Sequence, residues 1–282
     1  GFPRKSVAMV PPRKIGYNKT MSAEIQKAKL VIFDLDGTLT ESKTEMDAEM
    51  ASLMGRLLER RMVAVISGGG FSRFQEQFLG KTNYPPEQLS RLLLFPTSAT
   101  RFYRHENSWK EIYADMLTVE ERQKIKDAFE QVFKEIGYQH PPRLYGEVVE
   151  DRGTQVTFSA LGQKAPLEAK KQWRGTKDDR RREIVEALKK YLPDFQIQIP
   201  GFTSIDVTKK GIDKAYGIHQ IEKLLGITVA DMIFVGDALY EGGNDYPVKK
   251  TGIATVAVSG PEETKQLIKS WLEEILRTGI FT

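Results

Sequence analysis

A run of four apolar residues, Leu30-Val31-Ile32-Phe33, ends in two aspartates, Asp34 and Asp36, separated by a single leucine. Three of the four are strong strand formers, so the run reads as a buried β-strand. Gly37 then lets the chain turn, and Thr38-Leu39-Thr40 follow. Carboxylates at the end of a buried strand are badly placed for a core and well placed for a site. In open α/β sheets, ligands gather outside the carboxyl ends of the strands. One carboxylate there can attack phosphorus or bind Mg²⁺ while its neighbour moves a proton. The plainer reading is a strand that ends in a solvated Asp-Gly turn.

The rest of the chain shows the same α/β style on either side of a different middle. Thr44 to Arg61 has apolar positions at helical spacing, with Met46, Met50, Leu53, Met54, Leu57 and Leu58 on one face. A second strand, Met62 to Ile66, leads into Ser67-Gly68-Gly69-Gly70. A helix follows from Phe71 through Phe78, and Arg91 to Phe95 reads as a third strand. Strand–helix alternation argues for a parallel, doubly wound sheet. From about residue 100 the pattern changes. Part of a hairpin is expected at Ser108 to Tyr113, a charged helix at Thr118 to Ile136, strands at 145–149 and 155–159, and a basic helix at Asp178 to Tyr191. Alternating strands follow at 195–199 and 203–207. This α+β pattern reads as an inserted domain. The parallel style returns with a helix at Lys214 to Leu225, strands at 232–235 and 253–258, and a helix from Glu262 to Leu276. The expected division is a basic leader over 1–26, a core over 27–98 and 209–282, and a cap over 99–208.

Composition narrows the chemistry. The 282 residues contain no cysteine, which removes disulfides, thiolate nucleophiles and Cys-based zinc sites. The three histidines, at 105, 140 and 219, are scattered, so a His metal cluster is not expected. No apolar run approaches the roughly 20 residues of a membrane span, and a cytoplasmic protein is the expectation. The leader carries Arg4, Lys5, Arg13, Lys14 and Lys19 without an acidic residue. It reads as a disordered extension; a targeting or nucleic-acid arm is the alternative, though the aromatic and glycine interleaving of nucleic-acid modules is missing. The basic stretch Lys170 to Arg182 reads as a solvated face, with the gathering of an anionic substrate as its functional alternative.

Asp34-Leu35-Asp36-Gly37-Thr38 matches the DxDGT signature of the haloacid dehalogenase (HAD) phosphatase and phosphomutase superfamily. The resemblance implies an α/β Rossmann-like core with an α+β cap. It makes Asp34 the nucleophile that becomes an aspartyl-phosphate, and Asp36 the general acid/base, whose backbone carbonyl also binds Mg²⁺. Ser67 with Gly68 and Gly69 would cradle the phosphoryl group, beside Thr38. Lys214, in Gly211-Ile212-Asp213-Lys214, resembles the family's G-x-x-K element, with Lys209 and Lys210 as near alternatives. Asp237, at the end of Val235-Gly236-Asp237, would complete a Mg²⁺ site with Asp34 and Asp36, and Asn244 and Asp245 would hold its waters and the lysine.

Position of the insertion and the Gly242-Gly243-Asn244-Asp245 turn point to subfamily IIB, and residues 29–270 resemble the eukaryotic-type phosphomannomutases. Gly201-x-x-Ser204-x-Asp206-Val207 and the cap segment from Asp151 to Gln163 carry this likeness. It implies that Arg152 binds a distal phosphate and that Ser204 and Asp206 hold sugar hydroxyls. Two departures stand out. Gln163 occupies the place of a second phosphate-binding arginine, and Thr157 that of an asparagine. Glutamine cannot replace the bidentate charge of arginine. The expectation is therefore a Mg²⁺-dependent phosphohydrolase acting on a sugar phosphate or similar metabolite, with a phosphomannomutase as the alternative and a catalytically silent binding protein as a third reading. The partner is a small phosphate ester, with neither nucleic acid nor membrane. Caps of this class often dimerise, which leaves a homodimer through the cap open.

Overall fold

A computed structural model describes residues 24–41 and 44–278. Its first sheet has seven strands in the order β11-β10-β1-β2-β3-β4-β5. Strands β1 (Leu30–Asp34), β2 (Met62–Ile66), β3 (Leu92–Phe95), β10 (Met232–Gly236) and β11 (Ala254–Ala257) run parallel. Strand β1 lies at the centre and is buried along its whole length. Its period-two alternation sends Val31 and Phe33 to one face and Leu30 and Ile32 to the other. The first face packs on the helices Ala48–Leu58 and Pro261–Thr278; the second packs on the helix Lys214–Leu225. Both faces of the sheet are covered, as the doubly wound expectation requires.

A second sheet, β6-β7-β9-β8, is wholly antiparallel. It comprises β6 (Val149–Asp151), β7 (Val156–Ser159), β8 (Phe195–Gln198) and β9 (Ser204–Lys209). The helices Val119–Glu135 and Arg181–Tyr191 pack on it around a separate core containing Phe129, Phe158, Ile184 and Leu188. Thr118 opens the first of these helices with a reciprocal capping box to Glu121, a device that stabilises a helix start by about 1 kcal/mol.

Several expected boundaries move. The hairpin of β4 (Arg101–His105) and β5 (Trp109–Ala114) belongs to the core sheet, because β4 pairs antiparallel with β3. The cap therefore begins after this hairpin and not at residue 99. The expected leader is shortened from its C-terminal side: residues 24–27 are helical and Ile25 is fully buried against the core. The basic residues of 1–23 lie outside the described residues. The first core helix starts at Ala48, not at Thr44, because the Asp47 side chain accepts the Met50 N–H at 2.8 Å and caps it there. After Ser67-Gly68-Gly69-Gly70 the chain makes an α-turn, Phe71–Arg73, and then widens into a π-helix, Phe74–Leu79. The basic stretch after Pro166 is divided: a short helix, Leu167–Trp173, precedes a turn, and the longer helix starts at Arg181.

Candidate active site

Sheet register alone gathers the reactive ends. Asp34 stands beside Ile66, so Ser67 is the next residue past the end of β2; Phe33 stands beside Val235, so Asp237 lies just beyond the level of Asp34 on β10. Three chain segments far apart in sequence thus end at one edge because their strands are adjacent and parallel. Lys214 comes from the first turn of its helix, whose N-cap is Asp213. Its ammonium donates to both Asp34 and Asp245, and all three side chains are buried. The neighbouring alternative, Lys209, instead pairs with Asp115 at 2.6 Å.

Carboxylate oxygens of Asp34, Asp237 and Asp245 all lie within 4.8 Å of one another. Burial is the largest influence on Asp34 and raises its pKa well above the usual carboxylate range; Lys214 works against the shift, while Asp245 and Asp237 add to it. Burial, then Asp245, pushes Asp237 up to about 6. So much negative charge around one ammonium is unfavourable unless further positive charge arrives. Gly37 leaves room for this packing: a Cβ there would lie 2.7 Å from an Asp237 oxygen, and its φ of +93° also suits glycine. The donor set of hard oxygens suits a divalent cation such as Mg²⁺.

Asp245 does more than hold water. One of its oxygens accepts from Lys214 and the other accepts the Ala238 N–H at 2.9 Å, so it is locked in place at the centre of the cluster. The carboxylate of Asp36 stays outside that trio and lines the adjoining cleft, as do Ser67, Gly68, Gly69, Ser204 and Asn244. Thr38 is buried and its hydroxyl reaches Asp237 at 3.5 Å. The Gly69 N–H donates to Ser67 Oγ at 3.1 Å. Asp206 accepts the Thr157 hydroxyl at 2.8 Å on the cap wall of the cleft.

The cleft has a volume of about 630 Å³ and is closed on one side by the cap. Arg152 Nη1 and Gln155 Nε2 both donate to the Gly68 carbonyl, at 2.7 and 3.0 Å, so the cap rests directly on the glycine loop. Gln163, expected against substrate, is turned to the protein: its Oε1 accepts from Arg152 at 3.2 Å and its Nε2 donates to the Thr157 carbonyl at 3.4 Å.

One supporting feature carries no sequence motif. Thr97, Ser98 and Ala99 take left-handed backbone conformations, with φ of 50°, 57° and 64°. Such conformations cost non-glycine residues of order 1 kcal/mol or more each. The turn is held because Thr97 N–H donates to the Gly69 carbonyl and Ser98 N–H to the Ser67 carbonyl, both at 2.9 Å. Thr100 and Thr154 hydroxyls complete the support around Thr97. The turn thus braces the Ser67–Gly69 backbone from behind. Pro96 after a strand was the one sequence sign of a break here.

A β1 that ends in two aspartates, a serine-glycine loop after β2, a helix-borne lysine and a second acidic strand end, under an inserted cap, define the HAD class of phosphoryl-transfer enzymes. A family model described as eukaryotic phosphomannomutase matches residues 50–274. The chain belongs to that family. It is similar to the phosphomannomutase of Encephalitozoon cuniculi, 25% identical over 89% of this chain and 96% of the relative. It is also similar to that of Saccharomyces cerevisiae, 29% identical over 78% of this chain and 84% of the relative. Among solved structures, ATP-bound Plasmodium falciparum IMP-nucleotidase matches with a TM-score of 0.67 at 18% identity, covering 91% of this chain and 64% of that one. Aspergillus fumigatus trehalose-6-phosphate phosphatase matches at 0.53 and 15% identity, over 90% of this chain and 97% of that one. These two likenesses bear on the fold. No helix among the described residues is long and apolar enough to cross a membrane.

Proposed function

We propose that this chain is a Mg²⁺-dependent hexose-phosphate mutase of the phosphomannomutase type, which moves a phosphoryl group between two positions of a sugar through Asp34. The family match across core and cap carries this reading, and the mutase alternative is better supported than plain hydrolysis. Plain hydrolysis is favoured only if Gln163 marks a lost phosphate clamp. Gln163 instead steadies Arg152, so its identity does not weigh against a second phosphate.

An Asp34 oxygen forms the bond to phosphorus as the bond from phosphorus to the sugar oxygen breaks, and Asp36 gives that oxygen its proton. That step draws one phosphoryl group from a hexose bisphosphate. Asp36 then takes the proton from the free hydroxyl of an incoming monophosphate, which accepts the phosphoryl group from Asp34, and the bisphosphate so formed turns over before its other group passes to Asp34. Lys214 faces the charge that spreads over the phosphoryl oxygens and favours the ionised form of Asp34, against the effect of its burial. Asp34, Asp237 and the Asp36 backbone carbonyl would hold Mg²⁺, with Asp245 and Asn244 supporting, and the bound ion would add positive charge at the phosphoryl group. The cap contacts at Gly68 keep competing water from the aspartyl-phosphate.

Mannose 1-phosphate incubated with Mg²⁺ and a trace of glucose 1,6-bisphosphate should yield mannose 6-phosphate, followed by phosphorus NMR. Free phosphate as the main product would sink the mutase reading in favour of the phosphatase.

Metal binding should also depend on pH with a definite sign. Asp237 in the fold holds its proton up to about pH 6, above its ordinary 3.8. In the metal-free protein its contribution to stability is present at low pH and is lost as pH rises through about 6. Mg²⁺ binds the deprotonated carboxylates and reverses that loss. The rise in melting temperature on adding Mg²⁺ should therefore be larger at pH 7 than at pH 5, and equal shifts at both would contradict the assignment.

A further inference from the structure

The cap hairpin of β6 and β7 turns over residues 152–155. Within this tip, Arg152 and Gln155 meet the Gly68 carbonyl, and Thr154 stands between them in the chain with a different partner. Thr154 is fully buried, and its hydroxyl lies 2.7 Å from that of Thr100 and 3.0 Å from that of Thr97. The Thr97 and Thr100 hydroxyls are themselves 2.7 Å apart, and Thr100 Oγ1 is also 2.7 Å from the Thr97 carbonyl. Three buried hydroxyls, two from the core and one from the cap, thus close a triangle.

We propose that Thr154 is a positioning residue. With the cap seated, its hydroxyl holds the left-handed turn Thr97–Ala99, and that turn fixes the Ser67–Gly69 backbone for phosphoryl transfer. Seating the cap therefore aligns the loop. This rests on the reading of Ser67, Gly68 and Gly69 as the phosphoryl cradle, and it applies equally whether a sugar or water accepts the group.

The turn is disfavoured by its own backbone and needs support from outside. Its first two N–H groups are committed to the loop, Thr97 to the Gly69 carbonyl and Ser98 to the Ser67 carbonyl. A trans peptide points its N–H opposite to its carbonyl. Anchoring the Ser67 carbonyl therefore also sets the direction of the Gly68 N–H, on a loop that lines the cleft. Any shift of the turn shifts these peptide planes with it.

Core groups hold the rest of the turn. The Tyr113 hydroxyl donates to the Ala99 carbonyl at 2.5 Å, and the Asp115 N–H donates to the Thr100 carbonyl at 2.8 Å, just past β5. Gly217, on the helix that carries Lys214, leaves room for the turn: a Cβ there would lie 2.9 Å from the Ala99 Cβ. The turn thus touches both the serine loop and the lysine helix, and Thr154 adds the cap's hold on it. A buried hydroxyl contact of this kind is lost when the cap lifts, so the coupling acts only in the closed protein.

The test replaces Thr154 by valine, which keeps the shape and removes the hydroxyl. Turnover of mannose 1-phosphate with Mg²⁺ and a trace of glucose 1,6-bisphosphate is followed as mannose 6-phosphate or as free phosphate, whichever the unmodified protein makes. In Thr154→Val, kcat should fall about tenfold or more with KM unchanged, the mark of lost alignment and not of lost binding. Thr154→Ser should restore most of it. The melting temperature should fall by only about 2–4 °C, as for one buried hydrogen bond in a chain of this size. Amide hydrogen exchange at Thr97 and Ser98 should be about tenfold faster than in the parent. Thr100→Val should behave alike, and the double variant should be no worse than either single one, because both remove the same triangle. Unchanged kcat, unchanged exchange at Thr97 and Ser98, or fully additive losses in the double variant overturns the assignment. Failure of the mutase reading shows elsewhere, as free phosphate from the unmodified protein, and leaves every one of these comparisons in force.

Discussion

Asp34→Asn should reduce turnover by at least about 10⁴-fold, because Asp34 is the carboxylate proposed to form the phosphoryl-enzyme bond. The change keeps the side-chain volume. It also leaves Lys214 its contact with Asp245, so the fold should survive with little change in melting temperature. Loss of activity would then be chemical and not structural. Two measurements check this: steady-state turnover with Mg²⁺, and trapping of labelled phosphate on the protein, which should be present in the parent and absent in the variant. Appreciable Mg²⁺-dependent turnover in Asp34→Asn would falsify the assignment of the nucleophile.

Lys214→Met should damage both stability and rate. The ammonium is the cation that touches Asp34 and Asp245, and Asp237 belongs to the same carboxylate cluster. Breaking a buried pair by removing one partner costs about 3–5 kcal/mol. For a chain of this size that corresponds to a fall of roughly 10 °C in melting temperature. The loss should shrink as pH falls, since Asp34 and Asp237, already inclined to hold protons, then become neutral. It should also shrink with Mg²⁺, which brings positive charge back to the cluster. Turnover should fall by roughly 10²–10³-fold, the effect of removing a fixed charge from a phosphoryl-transfer site. A variant as stable as the parent at pH 7, or stabilised no further by acid, would show that the ammonium does not hold the cluster together.

Much of the core was legible without coordinates because its chemistry sits on strand ends. A buried strand announces itself by an unbroken apolar run, and polar residues directly after it are conspicuous. Asp34, Ser67 and Asp237 stand out in this way, each at or just past the end of an apolar run, and the sheet brings all three to one edge. Lys214 was harder to separate from Lys209 and Lys210, and its contact with Asp34 only appears once the helix that begins at residue 214 is docked. The hairpin at 101–114 looked like part of the insertion because alternation alone cannot say which sheet a strand joins; pairing with β3 assigns it to the core.

The cap was read less well, for a physical reason. Its residues were placed by likeness to a motif, and a motif does not report which partners a long side chain finds. Arg152 looked like a free phosphate ligand and makes four contacts with three partners, Glu150, Gln163 and the Gly68 carbonyl, through its three nitrogens. Lys170 looked like one charge of a solvated basic stretch and is buried at the cleft. The left-handed turn at Thr97 to Ala99 was not visible at all, since no residue type there favours it and hydrogen bonds to the Ser67–Gly69 backbone hold it in place.

By itself, then, the order of apolar runs and the residues at their ends determined the α/β class and the family, because backbone period and local chemistry are written residue by residue. Only the tertiary structure decided which cations are already engaged by neighbouring groups. Whether a guanidinium or an ammonium is occupied depends on what the folded chain brings against it, from residues that stand far away along the sequence.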